Sequence, residues 1–270
     1  MSGGRVIFIA AAAAPIALSA CHDSTPASIA AAANQPSAGR VAVANTPSDP
    51  SQGAPSGAGG AASAAAAGTV SFNTNFDLTE SPISEKGAWI SANVESTRVW
   101  TAGGLAFGTQ PGNGAYNDSY AHLSGFPPNQ LASGVIHLAS NITRNTTHEV
   151  EILLRVSDGA HSLTGYECNF AYDGNYVQIV RWDPGGFAYL AGPSVGHQGN
   201  VPGGLREGDT VSAMIVGNVI TAYVNGVQAA TATDATYKTG DPGMAFWRGG
   251  PSISQDDFAF TRFSASSLTE

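Results

Sequence analysis

Residues 70–270 are predicted to fold as an all-β domain, an antiparallel sandwich of two sheets. Three observations predict this fold class. Apolar and polar residues alternate along short stretches, dipeptides typical of tight turns separate these stretches, and no stretch has the period of an ordinary amphipathic helix. Many short strands at regular spacing are typical of a sandwich or a barrel, and we expect about a dozen strands in two sheets.

The first 20 residues have the pattern of an export signal. One positive charge, Arg5, precedes an apolar run from Val6 to Leu18, which is shorter than the about 20 residues of a membrane-spanning helix. The run ends in Leu18-Ser19-Ala20-Cys21, which resembles the lipobox of bacterial lipoproteins. The resemblance implies removal of the signal before Cys21 and attachment of lipid chains to Cys21. Ordinary secretion, with cleavage after a small residue, is the alternative.

The segment 21–69 is rich in Ala, Gly, Ser and Pro. Such a composition buries too little apolar surface to offset the entropy of the chain, so we predict a disordered tether. The predicted organisation is therefore a lipoprotein signal peptide at 1–20, a disordered tether at 21–69 and the β-sandwich domain at 70–270. Two or more acyl chains give stable anchoring, so the expected location is outside the cytoplasm, with the lipid on the outer membrane or cell surface.

The strands of the domain are predicted from period-two alternation, which marks half-buried strands. In the clearest case Val150, Ile152, Leu154 and Val156 alternate with Glu149, Glu151, Leu153 and Arg155. Shorter alternating stretches lie at 176–180 and 213–216.

Turn residues separate these stretches. Asn225-Gly226 between two apolar runs is the strongest hairpin signal, because both residues accept the positive φ angles of a type I′ turn. Asp158-Gly159, Asp173-Gly174 and Asp183-Pro184-Gly185-Gly186 are predicted as further turns.

The charge and the cysteines exclude two classes of function. The formal net charge is −9, and the 11 Lys and Arg residues are scattered along the chain. Binding of nucleic acid needs clustered basic residues, so we expect no nucleic-acid partner. The two cysteines, Cys21 and Cys168, show no spacing of a zinc site. Cys168 is predicted to be a small buried apolar residue.

Several motifs within the domain occur in a characteristic order. They are Gly-Tyr-Glu-Cys at 165–168, Gln-Ile-Val-Arg-Trp at 178–182, Phe-Ala-Tyr-Leu at 187–190, Tyr-Val-Asn-Gly at 223–226 and Asp-Asp-Phe at 256–258. This order resembles the concanavalin A-like, laminin-G-like jelly rolls of exported bacterial proteins over roughly residues 70–268. The resemblance implies a jelly-roll sandwich. It does not select an activity, because such folds serve as lectins, hydrolases, lyases and spacers.

The resemblance also implies that one face of a sheet binds a glycan. Carboxylate, amide and Arg side chains can bond to sugar hydroxyls, aromatic rings can stack on sugar rings, and a site of this kind needs few polar groups. The candidates are Glu149, Glu151, Arg155, Glu167, Asn169, Tyr176, Gln178 and Trp182. The alternative is that these residues form the solvated faces of half-exposed strands.

Catalysis is a second implication of the resemblance. Glucanases of this group carry Glu-x-Asp-x-x-Glu, and the corresponding run here, Glu149-Val-Glu151-Ile-Leu-Leu154, lacks the third acid. Glu151 together with Glu167 on another strand is the remaining pair for hydrolysis of a glycosidic bond.

The related alginate-lyase-like jelly rolls use an Arg, a Gln-x-His and a Tyr. Arg155, Gln178 and Tyr176 are present here, but Val180 stands at the position of the His.

A structural calcium ion is a further implication. Relatives of this fold often hold Ca²⁺ through a late Asp and oxygen atoms near the first strand, and hard oxygen ligands suit this ion. Asp257 and Asp77 are the corresponding candidates, and a solvated acidic turn is the alternative.

Three functions stay open at this level. The first is a membrane-tethered module that binds a polysaccharide or another glycan. The second is a polysaccharide-active hydrolase or lyase, and the third is an adhesion or spacer module without a small ligand.

Overall fold

The computed structural model describes residues 69–92, 97–112, 118–140, 148–159, 162–195, 199, 201–250 and 254–269. All of them belong to one unit that spans residues 62–270. The predicted signal peptide, Cys21 and all of the predicted tether except Thr69 lie outside the described residues. No helix in the described part of the chain is long and apolar enough to cross a membrane.

The described residues form fifteen strands in two sheets. Sheet A contains β1 (Ser71–Thr74), β3 (Val99–Ala102), β4 (Leu105–Gly108), β6 (Gln130–Leu138), β11 (Thr210–Val216), β12 (Val219–Val224), β13 (Val227–Thr233) and β15 (Phe258–Ser267). Sheet B contains β2 (Ile90–Ser91), β5 (Ser119–His122), β7 (His148–Gly159), β8 (Ser162–Ala171), β9 (Val177–Asp183), β10 (Gly186–Ala191) and β14 (Asp241–Arg248).

Neighbouring strands within each sheet run antiparallel. The order in sheet A is β13-β12-β11-β6-β15-β4-β3, with β1 also paired to β15, and the order in sheet B is β10-β9-β8-β7-β14-β5-β2. The predicted fold class, an antiparallel two-sheet jelly-roll sandwich, is confirmed. The one helical element among the described residues is a short 3₁₀ turn at Pro193–Val195.

The apolar core lies between the sheets. In sheet B the residues Val150, Ile152, Cys168 and Ile179 point inward and are fully buried. The predicted alternation is therefore confirmed for the first half of β7, and Cys168 is a buried free thiol as expected. Each inward apolar side chain sets its neighbours on the strand toward the opposite face, which we call the outer face of sheet B.

Three of the four predicted turns are confirmed. Asn225 and Gly226 both have positive φ, at 51° and 76°, and join β12 to β13 with Val224 opposite Val227. Pro184 and Gly185 join β9 to β10, where Gly186 pairs with Asp183. The turn predicted at Asp158-Gly159 was wrong, because both residues belong to the end of β7 and pair with Leu163 and Ser162 of β8. The turn at 173–174 connects β8 to β9. Consecutive strands β7 to β10 are thus lateral neighbours, which brings their outer side chains together.

Arg155 departs from the predicted pattern because β7 contains a bulge. The pairing of β7 with β8 shifts register between Leu154 and Ser157, and Arg155 has a φ of 49°. Gly165 is required opposite the bulge, because a Cβ there would lie 2.6 Å from the Arg155 carbonyl oxygen. The bulge changes the side to which later residues point, so the prediction that Arg155 shares a face with Glu149 and Glu151 was wrong.

Arg155 instead forms hydrogen bonds that hold three loops of the sandwich together. Its guanidinium donates hydrogen bonds to the carbonyl oxygens of Pro128 (2.7 Å), Tyr237 (3.0 Å) and Gly217 (2.8 Å). Three backbone acceptors from three separate loops are thereby satisfied by one buried side chain, which gives Arg155 a structural role.

We expect Arg155→Met to lower the free energy of unfolding by about 3 kcal/mol, because it removes charge-assisted hydrogen bonds and leaves carbonyl groups without a donor. Urea unfolding followed by tryptophan fluorescence measures the change. The matched control is Arg206→Met at an exposed position, where a change within about 0.5 kcal/mol is expected. Equal effects of the two substitutions would contradict the assigned role.

Candidate functional site

A row of outer-face residues crosses sheet B at right angles to the strands. The register aligns Tyr120 with Ala245, Ala245 with Glu151, Glu151 with Asn169, and Asn169 with Gln178. Residues in register on neighbouring strands lie about 5 Å apart, so the polar side chains of this row are in contact range. The outer face is consequently polar at its centre although its residues are largely buried.

A pocket of about 320 Å³ opens on this face over strands β7 to β10 and the end of β14. The lining residues are mainly acids, amides and aromatic rings. They are Asp118, Glu149, Glu167, Asn169, Asn175, Tyr176, Gln178, Val180, Trp182, Phe187, Tyr189, Pro193 and Trp247.

Aromatic side chains form one wall of the pocket. Phe187 and Trp182 are register partners, with ring centroids 5.4 Å apart, and the rings of Phe187 and Tyr189 are 5.3 Å apart in an edge-to-face arrangement. Trp247 lines the pocket from β14. The rings of β9 and β10 are half-buried, so the wall retains surface that a ligand can contact.

Two glutamates at the base of the pocket are held by hydrogen bonds from uncharged donors. Asn169 Nδ2 donates to Glu149 Oε2 at 2.9 Å, and the Tyr176 hydroxyl donates to Glu149 Oε1. Trp182 Nε1 donates to Glu167 Oε2 at 2.8 Å. These bonds fix the positions of both carboxyl groups. The bond from Trp182 also links the aromatic wall to a glutamate at the base of the pocket.

Glu151 does not receive a hydrogen bond from an amide, phenol or indole group of the described residues. It is 0% exposed, and among the described residues no N–H or hydroxyl group donates to its carboxylate oxygens, so that its only hydrogen-bonding contacts there are with the carboxyl groups of Glu149 and Glu167. Its neighbours are other acids: one carboxylate oxygen from each of Asp118, Glu151 and Glu167 lies within 4.8 Å of the other two. Asp118 immediately precedes β5, whereas the two glutamates lie on β7 and β8.

Burial and mutual repulsion shift the pKa values of all four acids upward. Burial raises the pKa of Glu149 to about 7, against hydrogen bonds from Tyr176 and Asn169 that lower it. Burial, and next the charge of Glu149, raise the pKa of Glu167 to about 7. Burial followed by the charge of Glu167 raises the pKa of Glu151, and likewise that of Asp118, well above the usual range.

No Lys or Arg side chain in the described part of the chain forms an ion pair with these four acids. Arg181, which precedes the pocket residue Trp182 in the sequence, forms ion pairs with Asp183 and Asp234 instead. Buried charges without a partner are costly. The cluster therefore needs a proton, a cation or a ligand donor to neutralise it.

Most of the predicted glycan-binding residues meet in this pocket. Six of the eight line it: Glu149, Glu167, Asn169, Tyr176, Gln178 and Trp182. Glu151 lies on the same face but beneath the lining, and Arg155 lies elsewhere, against Pro128, Gly217 and Lys238. Leu153, which faces outward from β7, is the register partner of Glu167.

Sequence reasoning missed Asp118, Trp247, Phe187 and Tyr189 as site residues. The period-two spacing of Phe187 and Tyr189 next to a turn could have placed them on the face of Trp182. Asp118 and Trp247 carry no such signal, because the strands that bring them to the site are distant in sequence from β7 to β10.

The predicted calcium ligands do not join this cluster. Asp257 accepts a hydrogen bond from the backbone N–H of Ser254 at 2.8 Å. Among the described residues, Asp77 and Asp257 do not belong to any group of three or more acid, His or Cys ligands. A calcium ion at this pair stays a prediction.

Comparison with known proteins gives structural likenesses at low identity. No family model matches the chain, and no curated protein matches it. The carbohydrate-binding module CBM66 from Bacillus subtilis aligns at 15% identity over 69% of this chain and 96% of that chain, with a TM-score of 0.47.

Two further solved structures align with the chain at similarly low identity. The CBM2 module of the evolved Dit of Lactobacillus casei BL23 phage J-1 aligns at 9% identity over 75% and 99% of the two chains, with a TM-score of 0.49. A Bacillus licheniformis β-glucanase aligns at 16% identity over 74% and 98%, with a TM-score of 0.44. At these scores the likenesses carry no argument about what this chain does.

The raised pKa values predict how stability depends on pH. A carboxyl group whose pKa is higher in the folded state keeps its proton longer there, so its stabilising contribution is lost as the pH rises from about 4.5 to about 7. Glu167→Gln removes one such group and keeps an acceptor for Trp182. We therefore expect the variant to gain stability relative to the unchanged protein across this pH range, measured by urea unfolding in the presence of a chelator.

The comparison is made between variants because His148 acts in the opposite direction. Burial lowers the pKa of His148 to about 4, so its contribution increases stability as the pH rises from about 4 to 6.5. Because His148 is present in both Glu167→Gln and the unchanged protein, its contribution cancels in the difference between their free energies of unfolding. Asp256→Asn makes the corresponding carboxyl-to-amide change at an exposed position and serves as the control. A constant difference between Glu167→Gln and the unchanged protein would refute the raised pKa of Glu167.

Proposed function

We propose that the domain binds a glycan in the pocket on the outer face of sheet B. The observation that carries this proposal is the combination of a continuous aromatic wall, Trp182–Phe187–Tyr189, with fixed carboxyl and amide groups at its base. A sugar ring presents an apolar C–H face and a rim of hydroxyl groups. The pocket offers a complementary surface to each.

The polar groups of the pocket suit hydroxyl recognition. Carboxylates accept hydrogen bonds, and the amides of Asn169 and Gln178 both donate and accept. Because Tyr176, Asn169 and Trp182 already orient the two glutamates, little side-chain entropy is lost when a ligand binds. The volume of about 320 Å³ is at the lower end for small-molecule pockets, which favours a short segment of a glycan.

Hydrolysis of a glycosidic bond is a second candidate. Oxygen atoms of Glu151 and Glu167 lie within 4.8 Å, close to the roughly 5 to 5.5 Å separation of the two carboxyl groups in retaining glycosidases. However, Glu151 has no exposed surface and does not line the pocket. A nucleophile must contact the sugar carbon, so the arrangement favours binding over hydrolysis.

A spacer without a ligand is supported least. Buried carboxyl groups that lack a cationic partner destabilise a fold, and a purely structural module gains nothing from a cluster of acids beside an aromatic wall. A site that must meet a polar ligand accounts for their presence.

The cellular setting of the site is also a proposal. The export signal and the cysteine after Leu18-Ser19-Ala20 support a protein anchored by lipid at Cys21 on the outer membrane or cell surface. The composition of 21–69 supports a flexible spacer between anchor and domain. A binding module held in this way would meet extracellular polysaccharide.

We expect Trp182→Ala to weaken glycan binding by about tenfold or more, because central aromatic anchors carry much of the binding free energy. A glycan array identifies the ligand, and calorimetry gives the affinity. Trp182→Phe, which keeps a ring and removes the N–H, is expected to have an intermediate effect.

The matched control is Trp100→Ala, which removes a half-exposed tryptophan from β3 in sheet A. This variant should bind as tightly as the unchanged protein. Release of reducing sugar that is abolished in Glu167→Gln would establish hydrolysis instead. The absence of any bound glycan, or equal losses in Trp100→Ala and Trp182→Ala, would refute the pocket as a glycan site.

Lipidation is tested separately. When the full chain is expressed in a bacterium supplied with labelled palmitate, the protein is expected to carry label and to sediment with membranes, and Cys21→Ser is expected to lose both properties. Cys168→Ser is the control, because that thiol is buried in the core. Labelling that persists in Cys21→Ser would contradict the anchor.

A further inference from the structure

The acid cluster has a property that glycan binding does not explain. Glu151 is completely buried, and no N–H or hydroxyl group of the described residues donates to its carboxylate oxygens, which contact only other carboxyl groups. Buried polar atoms without a partner are uncommon in folded proteins and point to an unseen water, ion or ligand. Glu149 and Glu167, by contrast, receive hydrogen bonds from neighbouring side chains.

We propose that Asp118, Glu151 and Glu167 bind a divalent cation of the size of Ca²⁺ at the floor of the pocket. The three residues come from the segment before β5 and from the adjacent strands β7 and β8. One oxygen of each lies within 4.8 Å of the others, and the oxygens of Glu151 are not committed to any donor.

The spacing of the oxygens is compatible with a cation of the size of Ca²⁺. Ca²⁺ binds oxygen at about 2.3 to 2.6 Å, so two of its ligands can be up to about 5 Å apart. The three oxygens of this cluster lie within 4.8 Å of one another, which is inside that range. All three ligands are carboxylates, and a hard donor set of this kind disfavours Zn²⁺ and Cu²⁺.

The charge balance favours a cation over a polar solvent molecule. Asp118, Glu149, Glu151 and Glu167 lie together without an ion-paired Lys or Arg from the described residues. A divalent cation compensates two of these charges at once and gives the Glu151 oxygens a partner. Trp182 Nε1 bonds to one oxygen of Glu167, Oε2.

The cation would be accessible from the pocket. Asp118 and Glu167 both line it, whereas Glu151 closes the site from below. Ca²⁺ takes about six to eight oxygen ligands, and three carboxylates supply at most about six. The remaining positions would face the pocket, where water or a ligand hydroxyl can complete the coordination.

The test is a calcium titration of the full chain after removal of metals by a chelator, followed by calorimetry without any glycan. The result expected is one Ca²⁺ bound per chain, weaker binding of Mg²⁺, and a loss of calcium affinity of about tenfold or more in Glu151→Gln. Because no glycan is present, the outcome is independent of the function proposed above.

Three controls keep the result specific. Glu207→Gln makes the same chemical change at an exposed position and should leave calcium affinity unaltered. Asp257→Asn tests the calcium site expected from the sequence. Circular dichroism in chelator should show Glu151→Gln to be folded, and Asp118→Asn at the pocket surface provides a second variant if it is not.

The proposal is overturned if no calcium binds, if Glu151→Gln and Asp118→Asn bind calcium as the unchanged protein does, or if binding is lost in Asp257→Asn alone. Selective loss in the variants of Asp118 and Glu151 supports it.

Discussion

Neutralisation of the acids on the outer face of sheet B is the constraint on which the candidate site depends. A β-sandwich has one face of each sheet covered by the core and the other open to a ligand or to solvent. Here the open face of sheet B carries carboxyl groups that are themselves buried and lie beside one another, and no N–H or hydroxyl group in the described part of the chain donates to Glu151. A face of this kind is stable only when protons, a cation or a ligand compensate its charge.

The strand register produces this arrangement. Inward Val150 and Ile152 place Glu149 and Glu151 outward, and pairing with β8 then sets Asn169 beside Glu151. The two-residue turn at Pro184-Gly185 lets β10 pair with β9. The rings of Trp182, Phe187 and Tyr189 therefore line the same pocket as the acids. The bulge in β7 ends this pattern, because it removes Arg155 from the face and uses its charge to fasten loops. The acids therefore have no ion-paired Lys or Arg from the residues that the structure describes.

Local patterns in the sequence predicted much of this. Alternation and turn residues identified the strands from β7 to β10, and since these strands are consecutive neighbours, most of the pocket residues could be named. The prediction failed where a single residue changed the phase of a strand, at Arg155, since a bulge leaves no clear mark in an alternating run. It also failed for Asp118 and Trp247, which reach the pocket because β5 pairs with β14 and β14 pairs with β7. Pairing between distant strands is set by the packing of the whole sandwich and has no local signature.

The protonation of the acids is the property that most directly distinguishes a functional cluster from an ordinary solvated strand face. Carbon-13 NMR of the glutamate carboxyl carbons in calcium-free protein measures it, with Glu→Gln variants to assign the signals. Midpoints near pH 7 for Glu149 and Glu167 are the result expected from their burial and mutual repulsion. Midpoints near pH 4.5, as for exposed glutamates, would show that the carboxyl groups are solvated and that the cluster does not exist as described.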